Sequence, residues 1–223
     1  EYVVAVPTDV TEVEKKAFYD LVFHSEAKAK SVRIVEKGLA DAVGFGMDVI
    51  GEKGIFVANF GSGTTELSVL SQGGMVMNRL LKIGGENFDT AIAALVRHNR
   101  EFLIGVLTAE KLRREFGVFD QSTDSSITVS GRDLVTGVAG QADIPISLVR
   151  AAMKEPLEEC VKAIRSMIER TPPDVRRAIE KKGICLTGGM ANMQGLPTYL
   201  RESIGLPVMT AEEPELCVVK GLQ

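Results

Sequence analysis

Tryptophan is absent from this 223-residue chain, and aromatic residues make up only 5% of it. Platforms that stack single-stranded nucleic acid are built from such rings, so that class of partner is disfavoured at once. An excess of basic charge is also missing: 26 Lys and Arg stand against 30 Asp and Glu, a formal net charge of −4. Without a basic footprint for a phosphate backbone, no nucleic-acid partner is expected. Histidine occurs only as His24 and His98, on separate predicted helices, which gives neither a companion for metal ligation or acid–base work. The three cysteines, Cys160, Cys185 and Cys217, are far apart and odd in number. They form neither a disulfide framework nor a metal spacing, and each reads as a buried thiol in a reducing compartment. A signal peptide is not found, nor an apolar run of about 18 residues, the length that spans a bilayer. No direct membrane segment is therefore expected in this chain. It opens Glu1-Tyr2-Val3-Val4-Ala5-Val6 without Met, already inside a predicted strand, so the natural protein is expected to extend upstream.

What is present is an ordinary globular composition, 45% apolar and 25% charged, long enough for one or two domains with a sizeable core. Short β-branched runs at Tyr2–Val6 and Val32–Val35 predict strands. Between them, Thr11-Glu12-Val13-Glu14 has the spacing of a capping box, and Val13, Ala17 and Leu21 mark one face of the helix that follows. Gly38–Phe45 predicts a closely packed helix. Strands are predicted at Ile55–Phe60, Thr65–Leu70 and Met75–Ile83, joined by glycine turns and followed by an amphipathic helix through Phe88, Ile92, Leu95 and Val96. From about Leu103 to Ile146 the texture changes. A short charged helix over Thr108–Phe116, a polar loop over Gln121–Ser126, and strands at Ile127–Val129 and Ala142–Ile146 suggest a small inserted subdomain. A long helix capped by Ser147 should run to about Arg170, with a break at Pro156. Pro172-Pro173 opens another helix, Gly183–Thr187 is a buried strand, Leu196–Ile204 a helix and Pro207–Thr210 a final strand.

Two strand–glycine elements carry the chemistry. Phe60-Gly61-Ser62-Gly63-Thr64-Thr65 joins two strands, and Leu186-Thr187-Gly188-Gly189-Met190 follows a third. Glycine lets backbone N–H groups approach a phosphate, and the hydroxyls of Ser62, Thr64 and Thr65 add donors. Gly188-Gly189 leaves a flat surface for an adenine or ribose. Each element alone is ordinary turn chemistry. Both in one α/β body favour a nucleotide.

These elements, with Thr11-Glu12-Val13-Glu14, Leu103-Ile104-Gly105, Thr108-Ala109-Glu110, Gly131-Arg132-Asp133-Leu134-Val135-Thr136-Gly137 and Glu169-Arg170-Thr171-Pro172-Pro173, resemble the MreB-like bacterial actins. That family organises cell-wall synthesis and belongs to the actin, heat-shock chaperone and sugar kinase ATPase superfamily. The resemblance covers nearly the whole chain. It implies an α/β fold in which 48–102 and 147–223 form an RNase H-like lobe, a mixed five-stranded sheet flanked by helices. Residues 103–146 would be a small inserted α+β subdomain, and 1–47 the end of the first lobe plus the connecting helix. The family's first phosphate loop and its N-terminal membrane helix have no counterpart, so the chain matches about two-thirds of such an actin.

Carried over residue by residue, the resemblance assigns nucleotide binding to Gly61, Ser62, Gly63, Thr64 and Thr65, to Glu110 and Arg113 on the adenosine side, and to Gly188 and Gly189. Arg113 stands where the family has Lys. Two departures fall on the catalytic positions. Asn59 replaces the Asp that holds a metal–water shell, and Lys37 replaces the Glu that positions the attacking water, with Glu36 displaced by one residue and expected to point elsewhere. A neutral amide does not hold a metal–water shell as a carboxylate does, and an ammonium is no general base. The expectation is a cytoplasmic cell-shape protein, peripheral to the inner membrane through partners. It would bind ATP or ADP, with Mg2+ in doubt and no metal-ligand set, and would lack useful ATP hydrolysis. Its implied partners are itself, an intact MreB-type actin and the cell-wall synthesis machinery. The alternatives are a non-hydrolysing nucleotide sensor, an active ATPase completed by an upstream lobe, a sugar kinase without an identifiable base, and a folded remnant.

Overall fold

The computed structural model describes residues 1–26, 28–115 and 125–223. The elements up to the middle of the chain are β1 (Tyr2–Val6), α1 (Glu12–Phe23), β2 (Val32–Glu36), α2 (Lys37–Gly44), β3 (Ile55–Phe60), β4 (Thr65–Ser71), β5 (Gly74–Leu81) and α3 (Gly85–Arg100). There follow β6 (Phe102–Leu103), α4 (Val106–Glu115), β7 (Ser126–Asp133), β8 (Ala139–Pro145), α5 (Ile146–Arg170), α6 (Pro173–Lys182), β9 (Ile184–Thr187), α7 (Leu196–Ile204), β10 (Val208–Thr210) and the short α8 (Cys217–Lys220).

The central sheet has the order β10-β9-β3-β4-β5. The hairpins β3–β4 and β4–β5 are antiparallel, while β9 joins β3 and β10 joins β9 in parallel. All six residues of β3 are buried, which follows from its place in the middle with both faces covered. Alternation divides its side chains. Phe56, Ala58 and Phe60 enter the main core with Leu67, Val69, Phe88, Ile92, Leu157 and Ile164, under α3 and α5. Ile55 and Val57 join Leu70, Cys185 and Ala42 on the face covered by α2. A three-stranded sheet, β6-β7-β8, forms beside α3 and α4. The parallel pair β1–β2 stands apart, with α1 against it.

Four sequence expectations meet a different outcome. The face of α1 marked by Val13, Ala17 and Leu21 is turned to solvent, with Val13 79% and Leu21 71% exposed. The side that packs on β1–β2 is instead the partly covered Lys15, Tyr19 and Val22. Pro156 does not break α5. It forfeits one rung of the ladder, but Ala152, Met153, Leu157, Cys160, Val161 and Ile164 hold the helix to the core on both sides of it. Ser147 is not its cap, because the helix starts at Ile146 behind Pro145. β7 and β8 are longer than their apolar runs suggest, because paired register runs from Ser126↔Pro145 to Arg132↔Ala139. The capping box, by contrast, forms as the spacing predicts: the Glu14 amide donates to Thr11 Oγ1, and the Thr11 amide donates to the Glu14 carboxylate at 2.7 Å. Phe116 and most of the polar Gln121–Ser126 loop lie outside the described residues.

Candidate functional site

The site begins with a row of three polar residues across the sheet. Asn59 of β3 lies opposite Thr187 of β9 and opposite Glu66 of β4. Strand alternation sends all three to the α2 face, where an apolar side chain would be the default. The helix answers with Lys37 and Asp41, one turn apart on the same side. Asp41 Oδ2 accepts from Thr187 Oγ1 at 2.6 Å and from Asn59 Nδ2 at 2.8 Å, and Asn59 Nδ2 also reaches Thr187 Oγ1 at 3.2 Å. Lys37 Nζ lies 3.0 Å from Glu66 Oε1. Burial pushes the Asp41 carboxyl above its usual range, against the pull of its two hydrogen bonds and the Lys37 charge. Two carboxylate oxygens, Asp41 Oδ1 and Glu66 Oε2, are buried without a hydrogen-bond partner. Asp41 was not foreseen from sequence. The available signal was an Asp four residues after Lys37 in an otherwise small and apolar helix, where a charge needs a partner.

Above this row sit the glycine turns. Because β3 and β9 are neighbouring parallel strands, their C-terminal ends bring Gly61–Thr64 and Gly188–Gly189 side by side. Gly188 has φ +83°, and a Cβ there would stand 2.3 Å from the Phe60 carbonyl oxygen, so only glycine permits this approach. Gly63 and Gly189 have nothing within 4 Å of an added Cβ, so the outer surface of both turns is open. The Gly61 amide closes the hairpin onto the Thr64 carbonyl at 2.9 Å. Its carbonyls are tied to the start of α3: the Gly85 amide donates to Gly61 O and the Glu86 amide to Ser62 O. Ser62 is exposed, and its hydroxyl donates to the Glu86 carboxylate at 3.0 Å. Thr64 is half-buried. Thr65 is drawn inward, its hydroxyl donating to the Ile83 carbonyl at 2.8 Å, which leaves the remaining turn residues to form any cradle.

The residues expected on the adenosine side, Glu110 and Arg113, lie on α4. Arg113 is buried and spends its guanidinium on Asp89 of α3, with contacts at 2.7 and 3.2 Å. It therefore joins two helices rather than presenting an open donor. Glu110 stays partly exposed, 2.7 Å from Arg114. Gly85 is the junction of these parts, since a Cβ there would touch both Arg113 and Met190. Glu36 caps α2 in position only and faces α1, where its carboxylate lies 3.7 Å from Lys15.

These donors do not suit a divalent cation. Mg2+ is held by carboxylates and water in an octahedron. Here the Asn59 amide nitrogen turns to Asp41, and an ammonium already stands beside Glu66.

The family model described as MreB/Mbl protein matches residues 1–223. The cell shape-determining protein MreB of Escherichia coli (strain K12) is 36% identical over 219 residues, covering 98% of this chain and 62% of that protein. The cell shape-determining protein Mbl of Bacillus subtilis (strain 168) is 32% identical, over 98% of this chain and 65% of its own. This chain thus spans less than two-thirds of the length of these relatives. Among solved structures, MreB5 of Spiroplasma citri bound to AMPPNP superposes with a TM-score of 0.92 at 29% identity, covering 98% of this chain and 66% of that one. The same protein is known bound to ADP. The MamK double helical filament shares the fold, with a TM-score of 0.80 at 17% identity over 99% of this chain and 66% of its own.

Proposed function

This chain belongs to the MreB/Mbl family, and from that premise we propose a cell-shape cytoskeletal protein whose actin-fold lobe holds a nucleotide without hydrolysing it. The observation that carries the nucleotide reading is the pair of open glycine turns at the C-terminal ends of the neighbouring parallel strands β3 and β9. In open α/β sheets ligands collect at that edge. Binding of AMPPNP and ADP by MreB5 supports it. Gly61, Ser62, Gly63 and Thr64 would face the phosphates, and Glu110, Gly188 and Gly189 the nucleoside. Arg113 would act behind them, fixing α4 to α3.

Loss of hydrolysis rests on Asn59 and Lys37. The first is committed to Asp41 and Thr187, and the second to Glu66. No carboxylate remains at either catalytic position to orient water, and such assistance is worth about 10²–10⁴-fold. In this reading 48–102 and 147–223 form the large lobe, 103–146 the inserted subdomain, and 1–47 the end of the first lobe with its connecting helix α2. The protein would act in the cytoplasm by assembling with itself or an intact MreB-type actin, reaching the membrane and cell-wall machinery through them. Among the described residues no helix is long and apolar enough to cross a membrane.

Two measurements test the proposal. Phosphate release from ATP by the purified protein should stay at the buffer rate; a magnesium-dependent turnover would overturn the non-hydrolysing reading and restore the ATPase. Pelleting with and without an MreB-type actin should show co-sedimentation; its absence under all nucleotide conditions would overturn the cytoskeletal reading.

A further inference from the structure

Lys37 is placed where it can do more than remove a catalytic carboxylate. It is the first residue of α2, and its ammonium sits between a buried row and the outside: its side chain is 24% exposed, while that of its partner Glu66 is 3% exposed. Only one contact of the three an ammonium can donate is taken up by Glu66. The N-cap of α2, Glu36, makes no side-chain hydrogen bond to the first turn, so the positive end of the helix carries no internal carboxylate cap. Glu66 lies opposite Asn59, two residues before Gly61, so the Lys37–Glu66 pair lies at the strand end that leads into the glycine turn. The carboxylates at the same place, Asp41 and Glu66, are buried and already engaged by Asn59, Thr187 and Lys37.

We propose that the Lys37 ammonium serves as the resident cation of this site, so that the phosphates of a nucleoside di- or triphosphate bind at the Gly61–Thr64 turn without a divalent metal. This rests on the nucleotide reading above and specifies its chemistry. A buried carboxylate such as Glu66 needs a counter-charge, and Lys37 supplies it. An arriving phosphate shares the ammonium through its remaining donors, as a charge-assisted contact. Of the other carboxyls nearby, Asp41 is fully buried, and burial pushes it above its usual range, while Glu86 is held on the Ser62 hydroxyl at the turn and opposes an anion there. Glu66 then opposes binding and Lys37 favours it, from one ion pair.

The test uses the natural protein in the full length its cells make, with a fluorescent ribose-labelled ADP as the probe. Titrations are run in excess EDTA and in excess Mg2+. The expected result is an affinity equal within about twofold in the two buffers. Lys37→Met alone strands the buried Glu66 and invites unfolding, so the informative variant is Lys37→Met/Glu66→Gln, which removes both charges and keeps both shapes. It should bind at least about tenfold more weakly in EDTA than Glu66→Gln alone, the loss of one charge-assisted contact. Glu66→Gln alone should bind more tightly than the parent. Binding only with Mg2+ overturns the resident-cation inference while the nucleotide reading stands. Absence of binding in both buffers overturns both. Binding by the double variant equal to that of Glu66→Gln alone, or weaker binding by Glu66→Gln than by the parent, removes Lys37 from the role.

Discussion

At the residue scale the buried Asp41 sets the sharpest expectation. Its carboxyl titrates above the ordinary Asp value because burial outweighs its hydrogen bonds. The native state therefore holds this proton at pH values where the unfolded chain has released it. A group of this kind stabilises the fold below the ordinary Asp range, and that contribution is lost as pH rises through its raised pKa. Asp41→Asn abolishes the titration. The melting temperature of the variant, relative to the parent, should climb as pH rises through that window; a difference independent of pH would refute the assignment. The glycines offer a paired comparison. Gly188→Ala forces a side chain into a left-handed conformation and onto the Phe60 backbone, and should cost at least about 2 kcal/mol in urea unfolding. Gly63→Ala meets open space and should leave stability within about 0.5 kcal/mol, while weakening phosphate binding. If Gly63→Ala left nucleotide affinity unchanged, the turn would not be the cradle.

At the element scale two contacts join helices that sequence keeps apart. Arg113 of α4 and Asp89 of α3 form a buried pair, with side chains 7% and 6% exposed. Arg113→Met should destabilise by about 3–5 kcal/mol, since Asp89 is left charged and buried, and Arg113→Met with Asp89→Asn should recover most of that loss. A double-mutant cycle by chemical unfolding measures it. The second contact is the crossing of α2 and α8. A Cβ on Gly44 would lie 1.7 Å from the Cys217 carbonyl oxygen, and one on Gly221 would lie 1.7 Å from that of Ala40. The two backbones touch, so neither glycine can carry a side chain without parting the helices, at about 1–3 kcal/mol for overpacking. Because α2 also carries Lys37 and Asp41, parting the helices should disturb the site itself.

At the scale of the whole molecule stability is unevenly spread. The five-stranded sheet is buried on both faces in its middle strands, and α5 alone contributes eleven buried residues. By contrast α1 buries none, and it rests on a two-stranded sheet. Local opening follows the density of buried apolar contact. Native-state hydrogen exchange should therefore protect β3, β4 and α5 far more than α1 and β2; equal protection would show that the exposed Val13–Leu21 face is covered in solution.

Much of this architecture was legible in the residues. β3 and α7 occupy the spans their patterns predicted, Ile55–Phe60 and Leu196–Ile204. The capping box at Thr11 formed because its bonds are local, three residues apart. Asn59 and Lys37 are legible in the sequence as departures from the pattern that the family resemblance implies, since residue type tells an amide or an ammonium from a carboxylate. What depends on distant neighbours was not legible. The inward side of α1 is not legible, because a helical stripe shows that a face is apolar and not what covers it. Pro156 marks a break by its local cost alone, while the packing that outweighs it comes from other segments. The commitment of Arg113 to Asp89, and of Asn59 to Asp41 and Thr187 across 18 and 128 residues of chain, arose only when the sheet closed. Strand alternation is written in sequence, but which helix lies over a face is settled by tertiary packing. That packing set the Lys37 ammonium against the buried Glu66 carboxylate.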